Sequence, residues 1–337
     1  MTEIRKHYFL EEYCIIASER SKRPSDFKTL EKEAEIYPQK CVFCLGNEDK
    51  TPPATAVYKK IGGSLKITKD SEDGKIREKN WVARCFPNLY PAVSPEAELS
   101  LTHHSYLNTV SYQGYGFHEI IVETPEHSKN IPEFNDEEIK LLLTVYKDRV
   151  DYYQSKKNIK YVSLFKNQGA NAGASLSHMH NQLVAIPIIP PILQRELQVI
   201  KKNEKCPYCE ISEKESKSER LISENKDFIV IAPFYSQSPF ETWILPKEHI
   251  NHLREFDDKL LESLAFILRD IISRISNVLD KPPYNYMLFQ LLDKSYHFNI
   301  RIQPVLSIVA GFEKNTGIYI NTVEPEQATN YLREVKV

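Results

Sequence analysis

Residues 117–123, Phe-His-Glu-Ile-Ile-Val-Glu, form a run rich in β-branched and aromatic residues that predicts a strand. A proline-rich turn follows, and Asn135 with Glu138 three residues later is the signature of a capped helix. Its apolar positions Ile139, Leu142, Leu143, Tyr146 and Val150 recur at helical spacing. A second strand over 161–166, a Gly/Ala/Ser loop and a third strand over 182–187 complete the unit. The same order returns later: a strand at 240–245, an amphipathic helix over 257–279 and strands at 285–291 and 297–303. Leu260, Leu261, Leu264, Ile267, Leu268 and Ile271 form the apolar face of that second helix.

Three landmarks align across the two halves. Cys41-x-x-Cys44 matches Cys206-x-x-Cys209, His127 in Pro-Glu-His matches His249 in Lys-Glu-His, and His178-x-His180 matches His297-x-Asn299. The histidines of each half stand at nearly equal separations, which implies a duplication. The fold class is therefore α+β, two halves each built from an antiparallel sheet with a packed helix. The halves are expected at 1–195 and 196–337, joined near the charged residues 201–205, and residues 214–220 read as a solvated charged loop.

The chain has 337 residues, 44 Lys+Arg and 46 Asp+Glu, a net charge of -2, 41% hydrophobic and 27% charged residues. This is globular composition, and it excludes disorder and collagen-like structure. Near-neutral charge does not supply the broad positive field of a sequence-independent nucleic-acid binder, so any anionic ligand requires a local site. The longest apolar run, 183–193, contains three prolines and is too short to span a bilayer, and residues 1–6 have no apolar targeting core. A soluble cytoplasmic protein with no nucleic-acid or membrane partner is expected.

Six cysteines are too few for a disulfide scaffold. Cys14 and Cys85 stand alone in apolar surroundings and are expected to be small buried hydrophobes. The other four fall in the two pairs. Each half offers two thiolates and two imidazoles: Cys41, Cys44, His127 and His178, then Cys206, Cys209, His249 and His297. Such a set fills a tetrahedral zinc ion and leaves no position for water, so both sites would be structural. A redox dithiol competes with this for a lone Cys-x-x-Cys, and the repetition with matched histidines favours metal. Iron at one site is compatible with the donors, although thiolate-rich tetrahedral sites favour zinc. His252 lies three residues after His249, and only the repeat alignment prefers His249.

The loop from Asn167 to Gln182 concentrates small residues that let backbone N–H groups approach a phosphate, and it delivers His178, His180 and Gln182 to one face of the following strand. If His178 holds metal, His180 is free. A neutral imidazole can attack the α-phosphorus of a nucleotide, giving a phosphoramidate and ping-pong transfer. Gln182 can donate N–H to a phosphate oxygen but cannot transfer protons, which suits transfer over hydrolysis. The bland alternative for His-x-His is a metal pair or a polar strand edge. The second half keeps His297 but has Asn299 and Arg301 at the other positions, as expected if only the first copy is catalytic.

With these residues in place the chain resembles the galactose-1-phosphate uridylyltransferases and the similar ADP-glucose phosphorylases, in the histidine-triad superfamily. The resemblance rests on Glu19-Arg20-Ser21-Lys22-Arg23-Pro24, Cys41-x-x-Cys44, Phe86-Pro87-Asn88-Leu89-Tyr90-Pro91, Gly116-Phe117-His118-Glu119, Pro125-Glu126-His127-Ser128, the 167–182 loop, Gly311-Phe312-Glu313, Thr316-Gly317 and Ile320-Asn321. It implies a duplicated histidine-triad-like fold whose second domain lacks the nucleophile. It also implies that His180 becomes nucleotidylated while Gln182 and Ser175 contact phosphates, that Asn167, Gly173 and Ala174 line the nucleotide site, and that Phe86 and Asn88 sit near base and ribose. Arg20 and Arg23 match a basic pair that approaches the phosphates or the partner active site, and a solvated turn is the alternative for them. The resemblance further implies a homodimer in which residues 312–321, including Phe312 and Asn321, help close the hexose pocket of the other subunit.

Two departures stand out. Met179 occupies a position where uridylyltransferases carry proline, and Asn299 replaces a second histidine that some members use for metal. The activity implied is transfer of UMP from UDP-glucose to a hexose 1-phosphate such as galactose 1-phosphate. The alternatives are a nucleotide-sugar phosphorylase acting on ADP-glucose with phosphate, and an inactive zinc-stabilised nucleotide-binding protein. His7, His103, His104 and His118 show no partner pattern and read as surface or hydrogen-bonded structural residues, and the 19 tyrosines as core.

Overall fold

A computed structural model describes residues 2–20, 23–27, 40–104, 106 and 109–337; Leu101, His103, His104 and Arg20 are described by backbone only. An eleven-stranded sheet is the backbone of the molecule. Its strands run in the spatial order Leu221–Glu224, Phe228–Ile231, Thr242–Pro246, Asn299–Pro304, Tyr284–Phe289, Tyr161–Gln168, His180–Ile186, Phe117–Val122, Ala83–Pro87, Ala56–Ile61 and Ser64–Thr68. Every neighbouring pair is antiparallel, so the two halves meet edge to edge where Tyr284–Phe289 pairs with Tyr161–Gln168.

Residues directly opposite in an antiparallel pair share a face. One row therefore crosses both halves: Ile120, Gln182, Phe165, Met287, Arg301 and Trp243. The other face is covered by the helices Asp136–Gln154 and Asp258–Leu279, which pack against each other and bury the large core. Each helix begins on a side-chain cap. Asn135 Oδ1 accepts from Glu138 N–H at 3.0 Å while the Glu138 carboxylate accepts from Asn135 N–H at 2.9 Å, and Asp257 Oδ1 accepts from Leu260 N–H at 2.8 Å. Asp280 and Lys281, both near φ +55°, end the second helix, and Pro282 follows.

The chain's first strands, Glu3–Lys6 and Tyr13–Ile16, form a hairpin to which Tyr319–Asn321 adds in parallel. Arg5 donates to Glu326 at 2.9 Å and Tyr8 to Glu215 at 2.9 Å, which fastens this hairpin to residues of the second half. The helix Pro191–Ile200, with proline at its first position, runs across the boundary expected at 195/196.

Several sequence expectations shift. The strand expected at 240 starts at Thr242, because Phe240 adopts φ +60°. Residues 214–220 are not simply a solvated loop: the helix Pro207–Glu215 runs into them, and Arg220 donates to Glu215 at 2.9 Å and to Glu326 at 3.0 Å. Cys14 and Cys85 are fully buried, as expected of small hydrophobes. No helix among the described residues is long and apolar enough to cross a membrane.

Candidate active site and metal centres

The donor atoms of Cys41, Cys44, His127 and His178 lie within 4.8 Å of one another, and so do those of Cys206, Cys209, His249 and His297. In the first group the Cys44 sulfur is 3.3 Å from His127 Nδ1 and 3.5 Å from His178 Nδ1, and the Cys41 sulfur is 3.7 Å from His178 Nδ1. In the second, Cys209 is 3.4 Å from His249 Nδ1 and 3.5 Å from His297 Nδ1, with Cys206 at 3.8 Å from His297 Nδ1. Ordinary zinc bond lengths around a tetrahedral ion give roughly 3.6 Å between sulfur and nitrogen ligands. The donors thus stand where ligands of one ion would stand.

The far side of the imidazoles supports this. His178 Nε2 donates to Thr124 O at 2.8 Å, His249 Nε2 to Lys294 O at 2.9 Å and His297 Nε2 to Pro246 O at 3.2 Å. A proton held on Nε2 leaves the Nδ1 lone pair free for metal. Both groups could hold a metal ion. His252 is not among the donors: it is buried, and its Nδ1 accepts from Arg254 N–H at 3.2 Å as a cap of the short turn Leu253–Glu255. His249, and not His252, is the histidine that stands with Cys206, Cys209 and His297.

His180 lies outside both donor sets. It opens the strand His180–Ile186, and its Nδ1–H donates to His178 O at 2.8 Å, which leaves Nε2 as the nitrogen with a lone pair. Burial drives its pKa down to about 4, so the ring is neutral near pH 7. Phe43, carried between Cys41 and Cys44, meets this ring at 5.2 Å and Phe86 at 5.6 Å. Beneath the strand, Lys166 pairs with Glu123 and donates to His180 O at 3.2 Å. Tyr146, Tyr286 and Asn181 continue this buried network, which rigidifies the main chain that carries His180.

The small-residue loop is shaped by two asparagines. Asn285 Nδ2 donates to Asn167 Oδ1 and to Ala172 O, both at 2.8 Å, and Asn167 Nδ2 reaches Gly173 O at 3.4 Å. Gly173 has φ +91°, a conformation that L residues avoid, and a Cβ there would meet Asn167 Nδ2 at 3.3 Å. Ala174 is half-buried and Ser175 exposed just before His178. A cavity of about 490 Å³ adjoins this loop, lined by Asn171, Gly173 and Asn285 on one side and by Gln303, Glu313 and Tyr319 on the other.

Gln182 stands two residues beyond His180 on the same face. Its Oε1 lies 3.0 Å from His118 Nε2, and Asn88 Nδ2 lies 3.1 Å from the same nitrogen. Phe86 is buried and Asn88 half-buried on the neighbouring segment. The strands therefore assemble His180, Gln182, Phe86 and Asn88 on one face. Arg23 is exposed and lies beside Asp280 and Tyr331, near the end of the helix on the opposite face, so a single chain does not bring it to His180. The Arg20 side chain lies outside the described residues, as do those of His103 and His104. Phe312 is exposed on the short helix Gly311–Thr316. Asn321 is buried: its amide donates to Ser236 O and Ser238 O and its oxygen accepts from Val323 N–H, so its side chain is committed to the chain's own backbone.

Sequence reasoning missed Phe43, Asn285 and His118 as members of this site. Their partners are far away in the chain. The alternation His118, Ile120, Val122 was the one usable signal, since it places His118 on the same face as Gln182 and His180.

In the second half the equivalent positions are filled. Asn299 Nδ2 donates to His297 O at 3.2 Å, as His180 does to His178 O. Arg301 lies between Trp243 and Phe289 and donates to Glu196 at 2.6 Å. That carboxylate, on the helix joining the halves, also accepts from Tyr208 and Tyr296.

The family model described as "Galactose-1-phosphate uridyl transferase, N-terminal domain" matches residues 69–190, and one described as "Domain of unknown function (DUF4921)" matches 133–335. An ADP-glucose phosphorylase of Arabidopsis thaliana is 34% identical over 99% of this chain and 93% of its own length. The galactose-1-phosphate uridylyltransferase of Thermotoga maritima is 31% identical over 66% of this chain and 75% of its own. The crystal structure of an ADP-glucose phosphorylase from Arabidopsis thaliana with bound ADP-glucose superposes with a TM-score of 0.80 at 32% identity, covering 100% of both chains. Together with the site, these define an enzyme of the nucleotidyltransferase class. The chain belongs to the galactose-1-phosphate uridylyltransferase family, in which the ADP-glucose phosphorylases are close relatives.

Proposed function

We propose that this protein transfers a nucleoside monophosphate from a nucleoside diphosphate hexose to a phosphate-bearing acceptor through a covalent adduct on His180. Nε2 of His180 attacks the α-phosphorus, a P–N bond forms, and the bond to the β-phosphate oxygen breaks to release the hexose 1-phosphate. An acceptor phosphate oxygen then attacks the same phosphorus and returns the electron pair to Nε2. The observation that carries this reading is one imidazole kept out of the metal set, neutral, with Nδ1 tied to His178 O. Gln182 would donate to a non-bridging oxygen, Ser175 and the Gly173–Ala174 backbone would line the phosphates, and Phe86 and Asn88 would flank the nucleoside. Zinc suits both Cys₂His₂ sets and would supply structural support there.

Two acceptors fit this half-reaction. With a hexose 1-phosphate such as galactose 1-phosphate the enzyme is a uridylyltransferase acting on UDP-glucose. With inorganic phosphate it is an ADP-glucose phosphorylase, a reading favoured by near full-length similarity to the Arabidopsis thaliana enzyme. We further read residues 1–195 as the catalytic half and 196–337 as a copy without a nucleophile, working as a homodimer. Incubation with α-³²P UDP-glucose and, separately, α-³²P ADP-glucose should leave label on His180 in the reactive case. The labelled adduct should then discharge to galactose 1-phosphate or to phosphate. Label from neither sugar nucleotide, with ligand still bound, would leave the retired binding protein as the answer.

A further inference from the structure

Resting on that reading, we infer that His118 is a positioning residue: it holds the Gln182 carbonyl oxygen so that the Gln182 amide hydrogens face the transferred phosphate. One donor near the ring cannot rotate. Ala92 N–H points at His118 Nδ1 from 3.1 Å, and a backbone N–H has no alternative orientation. Nδ1 must therefore accept, and the proton of the neutral ring sits on Nε2. From Nε2 it donates to Gln182 Oε1 at 3.0 Å.

A Gln182 amide turned the other way would bring N–H against N–H, so the ring permits a single orientation. Asn88 Nδ2 also lies 3.1 Å from Nε2, and with Nε2 a donor this contact is not a hydrogen bond. Its oxygen presently accepts from Tyr90 N–H at 2.9 Å. Burial lowers the His118 pKa, which keeps the ring neutral and the tautomer defined. Without His118, nothing holds the Gln182 oxygen, and the amide can turn it against the anionic phosphate in place of its N–H groups.

The geometry predicts that His118→Phe lowers the rate of His180 labelling and kcat about 10- to 100-fold while KM for the nucleotide sugar changes little, as for other loss of a supporting residue. His118→Gln, whose amide N–H can reach the place of Nε2–H, should recover most of that rate. In a Gln182→Ala background His118→Phe should cost little more, because the two act as one unit. Equal losses from His118→Phe with and without Gln182, or labelling at the wild-type rate, would overturn the inference. An unlabelled wild-type protein would instead count against the proposed function itself, so the two failures are separable. A far-UV CD melt of each variant separates folding loss from rate loss.

Discussion

Phe43 meets His180 edge to face with 5.2 Å between ring centroids, and it does so from between the two cysteines of the first Cys₂His₂ group. The turn that holds those cysteines, closed by Cys44 N–H to Cys41 O and by Asn47 Nδ2 to Cys41 O at 2.8 Å, is thus also a wall of the proposed reactive centre.

The two metal sites should therefore differ in their effect on activity. Cys44→Ser should lose metal, free the turn that carries Phe43, and lower turnover by more than about tenfold. Cys209→Ser should lose metal and stability with far less effect on the remaining turnover. Metal content by atomic spectroscopy, thermal melts and single-turnover labelling of the two variants distinguish these outcomes; equal losses of activity at equal stability would contradict the link through Phe43.

Gly173→Ala should strain the loop. A left-handed conformation costs an L residue about 1–2 kcal/mol, and the new Cβ would press on the Asn167 amide from 3.3 Å. Turnover should fall several-fold with only a small shift in melting temperature, since the loop is exposed there. A wild-type kcat in Gly173→Ala would show that the loop's shape is not needed.

Lys166→Met should be severe, because it leaves the Glu123 carboxylate buried without its cation, a defect of about 3–5 kcal/mol. The double variant Lys166→Met with Glu123→Leu should recover much of that stability in urea titrations. If the double variant is as unstable as the single, the Tyr146 and Asn181 bonds, not the ion pair, hold the network.

Stability should fall on the acid side of neutrality because of His7. Burial lowers its pKa from 6.5 to about 3, and its Nδ1 accepts from Phe9 and Leu10 N–H. The unfolded chain then binds a proton that the folded chain does not between about pH 6.5 and 3, so unfolding gains as pH falls through that window. Asn can accept the same N–H groups without titrating. His7→Asn should flatten the pH dependence of the melting temperature between pH 7 and 5; an unchanged slope would assign the effect elsewhere.

Much of the site was legible because its chemistry is local. The Cys-x-x-Cys pairs, the small-residue loop and the alternation that puts His180 and Gln182 on one face are properties of short stretches, and the Asn135 and Asp257 caps lie in plain view. What escaped was set by distance along the chain. Phe240 reads as strand until a left-handed turn, tied to Ser238 by the Glu241 N–H, intervenes. Arg220 looks solvated until Glu326 arrives from the C-terminal helix. His118 has no neighbour in sequence that reveals its role, since its partners Asn88 and Gln182 lie 30 and 64 residues away.

The Glu196 carboxylate, clasped by Arg301, Tyr208 and Tyr296, ties Arg301 into the second half's own interior. A histidine placed at Asn299 would lose the bond from Arg301 Nε to Asn299 Oδ1 at 3.0 Å, and the guanidinium beside it, drawn onto Glu196 at 2.6 Å, is held by the chain's own carboxylate and not free for a phosphate. Under the proposed reaction only the first half would then carry the nucleotide, while the second spends the matching position on holding itself together.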